Sequence, residues 1–341
     1  MFRKFAWQVR SRTQIVMESH LAWMVLAVLA LSASVTLALS IGSVPVSFAD
    51  LWDSIGHPDH RLYAVVWNVR FPRILCALAV GSSLAVAGAL LQTAVRNPLA
   101  DPGILGVTAG AGLAALIVIL IFPGQLIWLP AAGFLGGLFT TGVTLGLSWS
   151  RSHDPGPLRM ILSGVALQAL LGAFIALLTF AFADRAPSFA AFVIGSLNGL
   201  GWGDVQIVVW PTVLGCGLAL LLIRPLNLLM LEDTAASGLG LAVRRTRFFA
   251  SCVGALLAAG AVSVAGLIGF VGLVVPNGLR LLIGPEHKML LPFSAVGGAV
   301  LVVVADLVAR TAMAPLELPV GALLALIGGP YFIYILWAKL P

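Results

Sequence analysis

The chain contains a succession of apolar runs, each long enough to cross a lipid bilayer as a helix. A crossing helix needs about 20 residues, because the hydrocarbon core is about 30 Å thick and each residue advances the helix by about 1.5 Å. The 341 residues hold about ten such runs, which predicts an all-α polytopic membrane protein with about ten transmembrane helices. The predicted spans are approximately Leu21–Ile41, Ile74–Leu91, Val107–Phe122, Leu129–Trp149, Met160–Phe182, Val205–Ile223, Phe248–Val264, Leu267–Ile283, Leu290–Val308 and Val320–Trp337.

The composition disfavours the other broad classes of protein. Apolar residues make up 60% of the chain and charged residues only 9%, whereas about a quarter of a soluble protein is charged. A soluble enzyme, a disordered protein and a coiled coil are therefore all disfavoured. The net charge of +6 comes mostly from short loops between the apolar runs, so we expect contact with membrane lipid rather than with nucleic acid. No domain boundary is visible, and residues 1–341 are predicted to form one transmembrane domain.

The distribution of basic residues predicts the orientation of the chain. Ten crossings place both termini on one side of the membrane, and that side receives 14 of the 19 Lys and Arg residues, against 5 on the other. Because cytoplasmic loops carry an excess of Lys and Arg, both termini and the N-terminal segment 1–20 are predicted to be cytoplasmic. The first apolar run is too long for a typical signal peptide, and we interpret it as a retained span.

The spans offer no recognisable catalytic site. The sequence has no zinc-protease motif, no serine-nucleophile motif and no nucleotide-binding loop, so we expect no catalytic residue, no metal, no cofactor and no ATP hydrolysis by this chain. His57 and His60 are weak metal candidates without a third ligand, and all five histidines are interpreted as surface residues. Asp306 and Arg310, one helical turn apart, are expected to pair with each other. Closely spaced glycines are expected to pack helices together, and the predicted positions are Gly106 and Gly110, Gly133 and Gly137, and Gly266, Gly269 and Gly272.

Two kinds of loop segment could bind partner proteins. The stretch Arg224–Arg247 is too polar to cross the membrane, and Glu232 or Asp233 can cap a short helix that runs from Thr234 to about Leu239. Such a helix could contact a soluble subunit, but a solvated connector with an interfacial leucine patch explains the spacing equally well.

On the opposite side, Arg70 and Arg73 flank a proline just before the second span. They could pair with carboxylates of an extracytoplasmic partner, or they could reach the lipid headgroups. The segment that begins Arg96-Asn-Pro follows the same span on the cytoplasmic side, and its prolines prevent a continuous helix.

Six long motifs follow one another along nearly the whole chain. They are RFPRIL (70–75), GSSLAVAGALLQTAVRNPLADPGILGVTAGAG (81–112), NLLMLEDTAASGLGLAVRRTR (227–247), GLIGFVGLVVPNGLRLLIGPEHKMLLP (266–292), ADLVAR (305–310) and ELPVGALLALIGGPYFIYIL (317–336). Together they resemble the FecCD family, the permease subunits of ABC importers for ferric siderophores, haem and cobalamin. One difference is Asn277, which follows Val-Val-Pro where the family commonly has His.

The resemblance implies a BtuC-like permease fold, a set of partners and roles for individual residues. Two copies of a separate ABC ATPase, an extracytoplasmic solute-binding protein and a second permease subunit, identical or homologous, are expected, in the bacterial inner membrane. Arg70, Arg73 and Arg310 are implied as docking sites for glutamates of the binding protein, and Asn97 and Leu99 as part of a cytoplasmic gate. Residues 224–247 become a coupling region, with the ATPase contact at Met230, Leu231, Glu232, Asp233, Thr234, Ala235, Ala236, Ser237, Gly238, Leu239 and Gly240.

The sequence leaves the cargo open. A ferric siderophore is favoured because siderophore permeases are the most numerous members of the family, with haem and cobalamin as alternatives. A gradient-driven secondary transporter is an alternative of another class, but it would need an ion-coupling carboxylate in mid-membrane, and the sequence shows none. An intramembrane enzyme would need a nucleophile or a metal constellation, which is also not found.

Overall fold

The computed structural model describes residues 22–42, 46–47, 50–53, 61–149, 157–183 and 186–339, and every regular element within these ranges is helical. The predicted segment 1–20, His57 and His60 lie outside them. The helices are α1 (Ala22–Ser40), α2 (Phe71–Val95), α3 (Val107–Ile121), α4 (Leu129–Trp149), α5 (Pro157–Ala181), α6 (Ala186–Ile194), α7 (Trp202–Leu221), α8 (Ile223–Leu229), α9 (Asp233–Gly238), α10 (Val243–Ala265), α11 (Val271–Ile283), α12 (His287–Thr311) and α13 (Val320–Lys339).

Each of the ten predicted spans coincides with a helix, which confirms the predicted fold class. Seven helices in the described ranges are long and apolar enough to cross a membrane, and α3, α11 and the apolar part of α13 are shorter. The second span is longer than predicted, because a π-helical segment, Ala64–Arg70, leads directly into α2. The eighth span begins at Val271 rather than at Leu267, because residues 266–269 have no helical structure.

Helix α2 lies at the centre of the bundle and packs against α7, α10, α11 and α12. Glycine allows its closest approaches. A Cβ atom on Gly88 would lie 1.9 Å from the carbonyl oxygen of Gly272 in α11, and one on Gly81 would lie 2.2 Å from that of Gly298 in α12. Small residues at these crossings let the helix backbones touch, as membrane helix pairs often do. As a result α2 is buried along most of its length.

The glycine-packing prediction is confirmed at most of the predicted positions. Gly110 in α3 faces Gly136 in α4, and a Cβ on Gly110 would lie 2.4 Å from the Gly136 carbonyl oxygen. Gly269 is an exception, because nothing lies within 4 Å of the point that a Cβ atom would occupy there. The predicted glycine spacing therefore identifies real contacts between helices.

The peripheral helices expose apolar side chains. Few side chains of α1 and α5 are buried in the bundle. In α5, for example, Leu162, Leu177 and Phe180 are exposed. A soluble protein does not tolerate such surfaces, whereas lipid covers them at no cost. The short helices α8 and α9 and the predicted gate segment lie together at the end of the bundle where α2 ends, here called the Asp233 end. The opposite end, where α1 ends and α2 begins, is called the Arg73 end.

Candidate functional site

The Arg73 end holds a buried cluster of charged side chains. The Arg73 guanidinium donates to both carboxylate oxygens of Asp306 in α12, at 2.8–3.1 Å, and to Glu317 just before α13 at 2.9 Å. Its fork geometry suits this two-sided pairing, since guanidinium groups bind carboxylates bidentately. Arg73 thereby joins α2, α12 and the segment before α13 at one point.

The other two predicted docking arginines bind the C-terminal end of α1. Arg70 donates to the carbonyl oxygens of Leu39 and Ser40, and Arg310 donates to that of Ala38. The last carbonyl groups of a helix have no partner within the helix and carry the negative end of its dipole, so cations are favourable there. Sequence reasoning did not anticipate that α1 takes part in this cluster.

The structure brings the three predicted docking arginines together, but it buries them. Arg70, Arg73 and Arg310 are exposed by only 4%, 6% and 8%, which argues against the alternative that Arg70 and Arg73 reach the lipid headgroups. They line a narrow pocket of about 90 Å³ together with Glu317, whose side chain is 33% exposed. The three arginines with Asp306 and Glu317 carry one excess positive charge. The pocket therefore favours entry of an anionic group.

The expected partnership of Asp306 and Arg310 is wrong. Asp306 forms its ion pair with Arg73, which is 233 residues away in sequence. The one-turn spacing places Asp306 and Arg310 on the same helix face, but both side chains reach across to other helices. Long-range pairing of this kind has no signature in local spacing.

The predicted gate residues form a tight turn at the Asp233 end. The Asn97 side chain accepts a hydrogen bond from the backbone N–H of Leu99 at 2.9 Å, and the turn follows directly after α2. The side-chain amide of Asn277 in α11 donates to the Pro98 carbonyl oxygen at 2.7 Å and to that of Leu273 at 2.9 Å. We call residues 97–99 the gate loop. Asn277, the position that differs from the family pattern, thus fastens the gate loop to α11.

The predicted short helix exists, and it is exposed. It runs from Asp233 to Gly238, close to the predicted range, and Glu232 at its N-cap makes no side-chain capping bond. Asp233 does not cap it either, because its carboxylate pairs with Arg96 at 2.7 Å and Arg247 at 2.9 Å.

The predicted coupling segment Met230–Gly240 also presents apolar side chains to solvent. Met230, Leu231 and Leu239 are exposed, Leu239 by 63%, whereas Ala236 is fully buried against the bundle. These three exposed apolar residues flank the short helix on both sides, and exposed apolar side chains of this kind are suited to protein contact.

A second polar cluster, centred on His287, lies at the Asp233 end beside α8. His287, the first residue of α12, is 1% exposed, so its interpretation as a surface residue is wrong. Its Nδ1 lies 2.8 Å from the Asn227 side-chain oxygen, which only accepts, and its Nε2 lies 2.8 Å from the Thr93 hydroxyl. Nδ1 therefore carries a proton and donates to Asn227, while Nε2 lies at hydrogen-bond distance from the Thr93 hydroxyl, which also bonds to the Ala89 carbonyl oxygen at 3.0 Å. His287 joins α2, α8 and α12.

Arg280 completes the connections at this end. It donates to the side-chain oxygens of Gln92 and, at 3.1 Å, of Asn277. The Gln92 amide in turn donates to the Gly272 carbonyl oxygen at 2.9 Å. Gln92, Arg96 and Arg280 were given no role from sequence, although all three lie within the motifs that resemble the family. In the described part of the chain, no three His, Cys, Asp or Glu side chains are grouped so that they could hold a metal ion.

Comparisons with known proteins show that the chain is similar to transport permeases over most of its length. The model of the FecCD transport family matches residues 29–338. The hemin transport system permease HmuU of Yersinia pestis is 39% identical over 87% of this chain and 90% of its own length. The ferric dicitrate permease FecD of Escherichia coli is 39% identical over 93% and 98%. The cobalamin import permease BtuC of Halobacterium salinarum is 40% identical over 80% and 73%.

A solved structure described as an inward-facing conformation of a metal-chelate type ABC transporter has the same fold. It superposes with a TM-score of 0.83 at 31% identity, and the match covers 96% of this chain and 99% of that one. The family model, these relatives and the shared fold all extend over nearly the whole sequence. The chain therefore belongs to the FecCD transport family.

Proposed function

We propose that the chain is the transmembrane permease subunit of an ABC importer for an iron chelate. The observation that carries this proposal is that two distinct features lie at opposite ends of one bundle: an arginine-lined pocket at the Arg73 end and an exposed short helix at the Asp233 end. An importer of this type needs both, because its solute-binding protein and its ATPase act on opposite sides of the membrane. The family match and the named functions of the relatives support the same assignment.

We propose that the Asp233 end and both termini face the cytoplasm of a bacterium, across its inner membrane. The excess of basic residues on that side, 14 against 5, supports this orientation. In this topology residues 1–20 are a cytoplasmic segment, residues 224–247 are the coupling region, and the whole chain is a single permease domain. A second permease subunit, identical or homologous, would complete the translocation pathway.

The docking proposal follows from the charges at the Arg73 end. A glutamate of the solute-binding protein would enter the pocket and pair with Arg70 and Arg310, and would share Arg73 with Glu317. Because the pocket is largely shielded from solvent, each pair formed there is stronger than a surface ion pair. Glu317 is the most exposed acid of the cluster, and it competes with the incoming carboxylate for Arg73.

The coupling proposal follows from the exposed helix α9. Two ATPase subunits, one for each permease, would bind the patch formed by Met230, Leu231 and Leu239 and would approach each other when ATP binds. The movement would displace α9 and, through the adjoining contacts, the gate loop. The permease would therefore change between two arrangements whose populations are set by nucleotide. The chain itself supplies the pathway and the gate.

We propose a ferric siderophore as the cargo. The relatives are named for hemin, ferric dicitrate, siderophore and cobalamin transport, and three of these four are iron compounds. The test uses proteoliposomes that contain the chain with its partner ATPase and solute-binding protein, and it measures ATP-dependent uptake of ⁵⁵Fe-siderophores, ⁵⁵Fe-hemin and radiolabelled cyanocobalamin. Preferential siderophore uptake is the expected result. Preferential uptake of hemin or cobalamin would replace the proposed cargo but keep the permease function.

A further inference from the structure

Arg96 occupies a backbone position that usually belongs to glycine. It follows the last residue of α2 with φ 51° and ψ 36°, and it is one of two non-glycine residues with positive φ in the described ranges. The N–H groups of Arg96 and Asn97 bond back to the carbonyl oxygens of Thr93 and Gln92, the pattern of a helix end that favours glycine at this position. Any residue with a Cβ atom is energetically unfavourable in this left-handed conformation, so the contacts of the Arg96 side chain require an explanation.

The Arg96 side chain binds the corner between α8 and α9 at three points. Its guanidinium donates to the carbonyl oxygens of Leu229, at 3.2 Å, and of Leu231, and it pairs with the Asp233 carboxylate at 2.7 Å. Leu229 is the last residue of α8, and Asp233 is the first residue of α9. The Arg96 side chain therefore binds the last carbonyl group of α8 and the carbonyl group of Leu231. It also holds Asp233, the first residue of the proposed coupling helix α9.

The backbone of Arg96 leads directly into the gate loop. Asn97 is the next residue, and the Pro98 carbonyl oxygen is bound by Asn277. A displacement of α9 that carries Asp233 and Leu231 with it would therefore act on the residue that precedes the gate loop. A cavity of about 260 Å³ lies beside Arg96 and Pro98, so the Arg96 side chain and the gate loop border open space. Its lining consists of Gln92, Thr93, Arg96, Pro98, Met230 and Arg280.

We infer that Arg96 is the positioning residue that transmits movement of the coupling helix to the gate loop. The inference rests on the proposed function, because it presupposes an ATPase that acts on α9. Arg247 provides an internal comparison. It also binds the Asp233 carboxylate, at 2.9 Å, but it belongs to α10 and has no backbone connection to the gate loop. If holding Asp233 were all that mattered, the two arginines would be equivalent.

The test compares three substitutions of Arg96 with one of Arg247. Arg96→Gly removes the side chain but suits the positive φ, so the turn itself is retained. Arg96→Gln keeps a polar side chain without the charge, and Arg96→Lys keeps the charge without the guanidinium fork. Arg247→Gln removes the other ion pair to Asp233. The first readout is hydrogen–deuterium exchange of the purified full-length chain in nanodiscs, which requires no partner protein.

The exchange measurement has a definite expectation. Arg96→Gly should speed exchange in both the 230–240 segment and the gate loop, while Arg247→Gln should affect the 230–240 segment only. Unchanged exchange in both segments of Arg96→Gly would overturn the inference, because the side chain would then not connect them.

The second readout is the number of cargo molecules imported per ATP hydrolysed in proteoliposomes. We expect Arg96→Gly and Arg96→Gln to lower this ratio about tenfold, with partial recovery in Arg96→Lys and a change of less than about threefold in Arg247→Gln. Equal losses in Arg96→Gly and Arg247→Gln would overturn the inference, and so would a wild-type ratio in Arg96→Gly. Absence of ATP-dependent uptake in the wild type would instead reject the proposed function, and the exchange data would still decide whether Arg96 connects the two segments.

Discussion

The guanidinium group of Arg73 lies between two carboxylates, with Asp306 in α12 on one side and Glu317 before α13 on the other. The two acids differ in burial, since the Asp306 side chain is 3% exposed and that of Glu317 is 33%. The difference suggests separate tasks. Asp306 compensates a buried charge and so stabilises the fold, whereas Glu317 lies where an incoming carboxylate would arrive.

The first prediction concerns stability. Asp306→Asn leaves the buried Arg73 charge with a single, partly exposed partner, and we expect it to lower the free energy of unfolding by roughly 3 kcal/mol. Glu317→Gln should cost less, about 1 kcal/mol, because solvent screens that pair. Denaturant-induced unfolding of the purified variants in mixed micelles measures both. A larger loss in Glu317→Gln than in Asp306→Asn would contradict the assigned tasks.

The second prediction concerns docking of the binding protein. Arg310→Gln should weaken the affinity of the reconstituted complex for its binding protein about tenfold or more, because a charge-assisted contact in a shielded pocket is lost. Glu317→Gln should instead tighten binding, since it removes the competitor for Arg73. Surface plasmon resonance on nanodiscs at low and at high salt gives the affinities. If neither variant shifts the affinity at low salt, the arginine pocket is not the docking site.

The third prediction concerns the gate loop. Asn277→Leu removes the donor to Pro98 and keeps the branched shape of the side chain, and we expect faster leakage of encapsulated solute from proteoliposomes that hold no nucleotide. Asn277→His keeps a side-chain donor and introduces the residue common in the family, so leakage should stay close to the wild-type rate. Equal leakage in the wild type and Asn277→Leu would show that this hydrogen bond does not hold the gate closed.

The fourth prediction concerns the packing of α2. Gly88→Ala would place a methyl group 1.9 Å from the Gly272 carbonyl oxygen, so the helices must separate, and we expect a loss of about 3 kcal/mol or failure to fold. Gly142→Ala in α4 is the matched control, because nothing lies within 4 Å of its Cβ position. It should be neutral or stabilising by up to about 1 kcal/mol. A wild-type unfolding midpoint for Gly88→Ala would contradict the close contact of α2 and α11.

The positions and order of the ten apolar helices could be predicted from sequence, because a membrane span is a local property. Each helix must bury its own backbone in lipid, so length and hydropathy are sufficient to find it. The predicted start of α11 was four residues too early, because residues 266–269 are apolar but not helical. Helix α6, Ala186–Ile194, was not predicted, since nine residues are too few to appear as a span.

The contacts within the candidate site could be predicted only in part. The motifs located Arg70, Arg73 and Arg310 correctly at one end, but the partners of Arg73 lie 233 and 244 residues away in sequence. The same limit applies to Arg96, which was identified only as the start of the segment after the second span, and to His287, which bonds to Asn227 and Thr93 from two other helices. Such pairings are set by the tertiary fold rather than by local spacing.

Uptake of chelated iron by the reconstituted complex tests the central claim most directly. Proteoliposomes that contain the chain, its ATPase and its binding protein should accumulate ⁵⁵Fe-siderophore only when both ATP and the loaded binding protein are present. A hydrolysis-deficient ATPase should abolish accumulation. Equal accumulation with the deficient ATPase, or by the chain alone, would show that the chain is a self-sufficient transporter and would contradict the account.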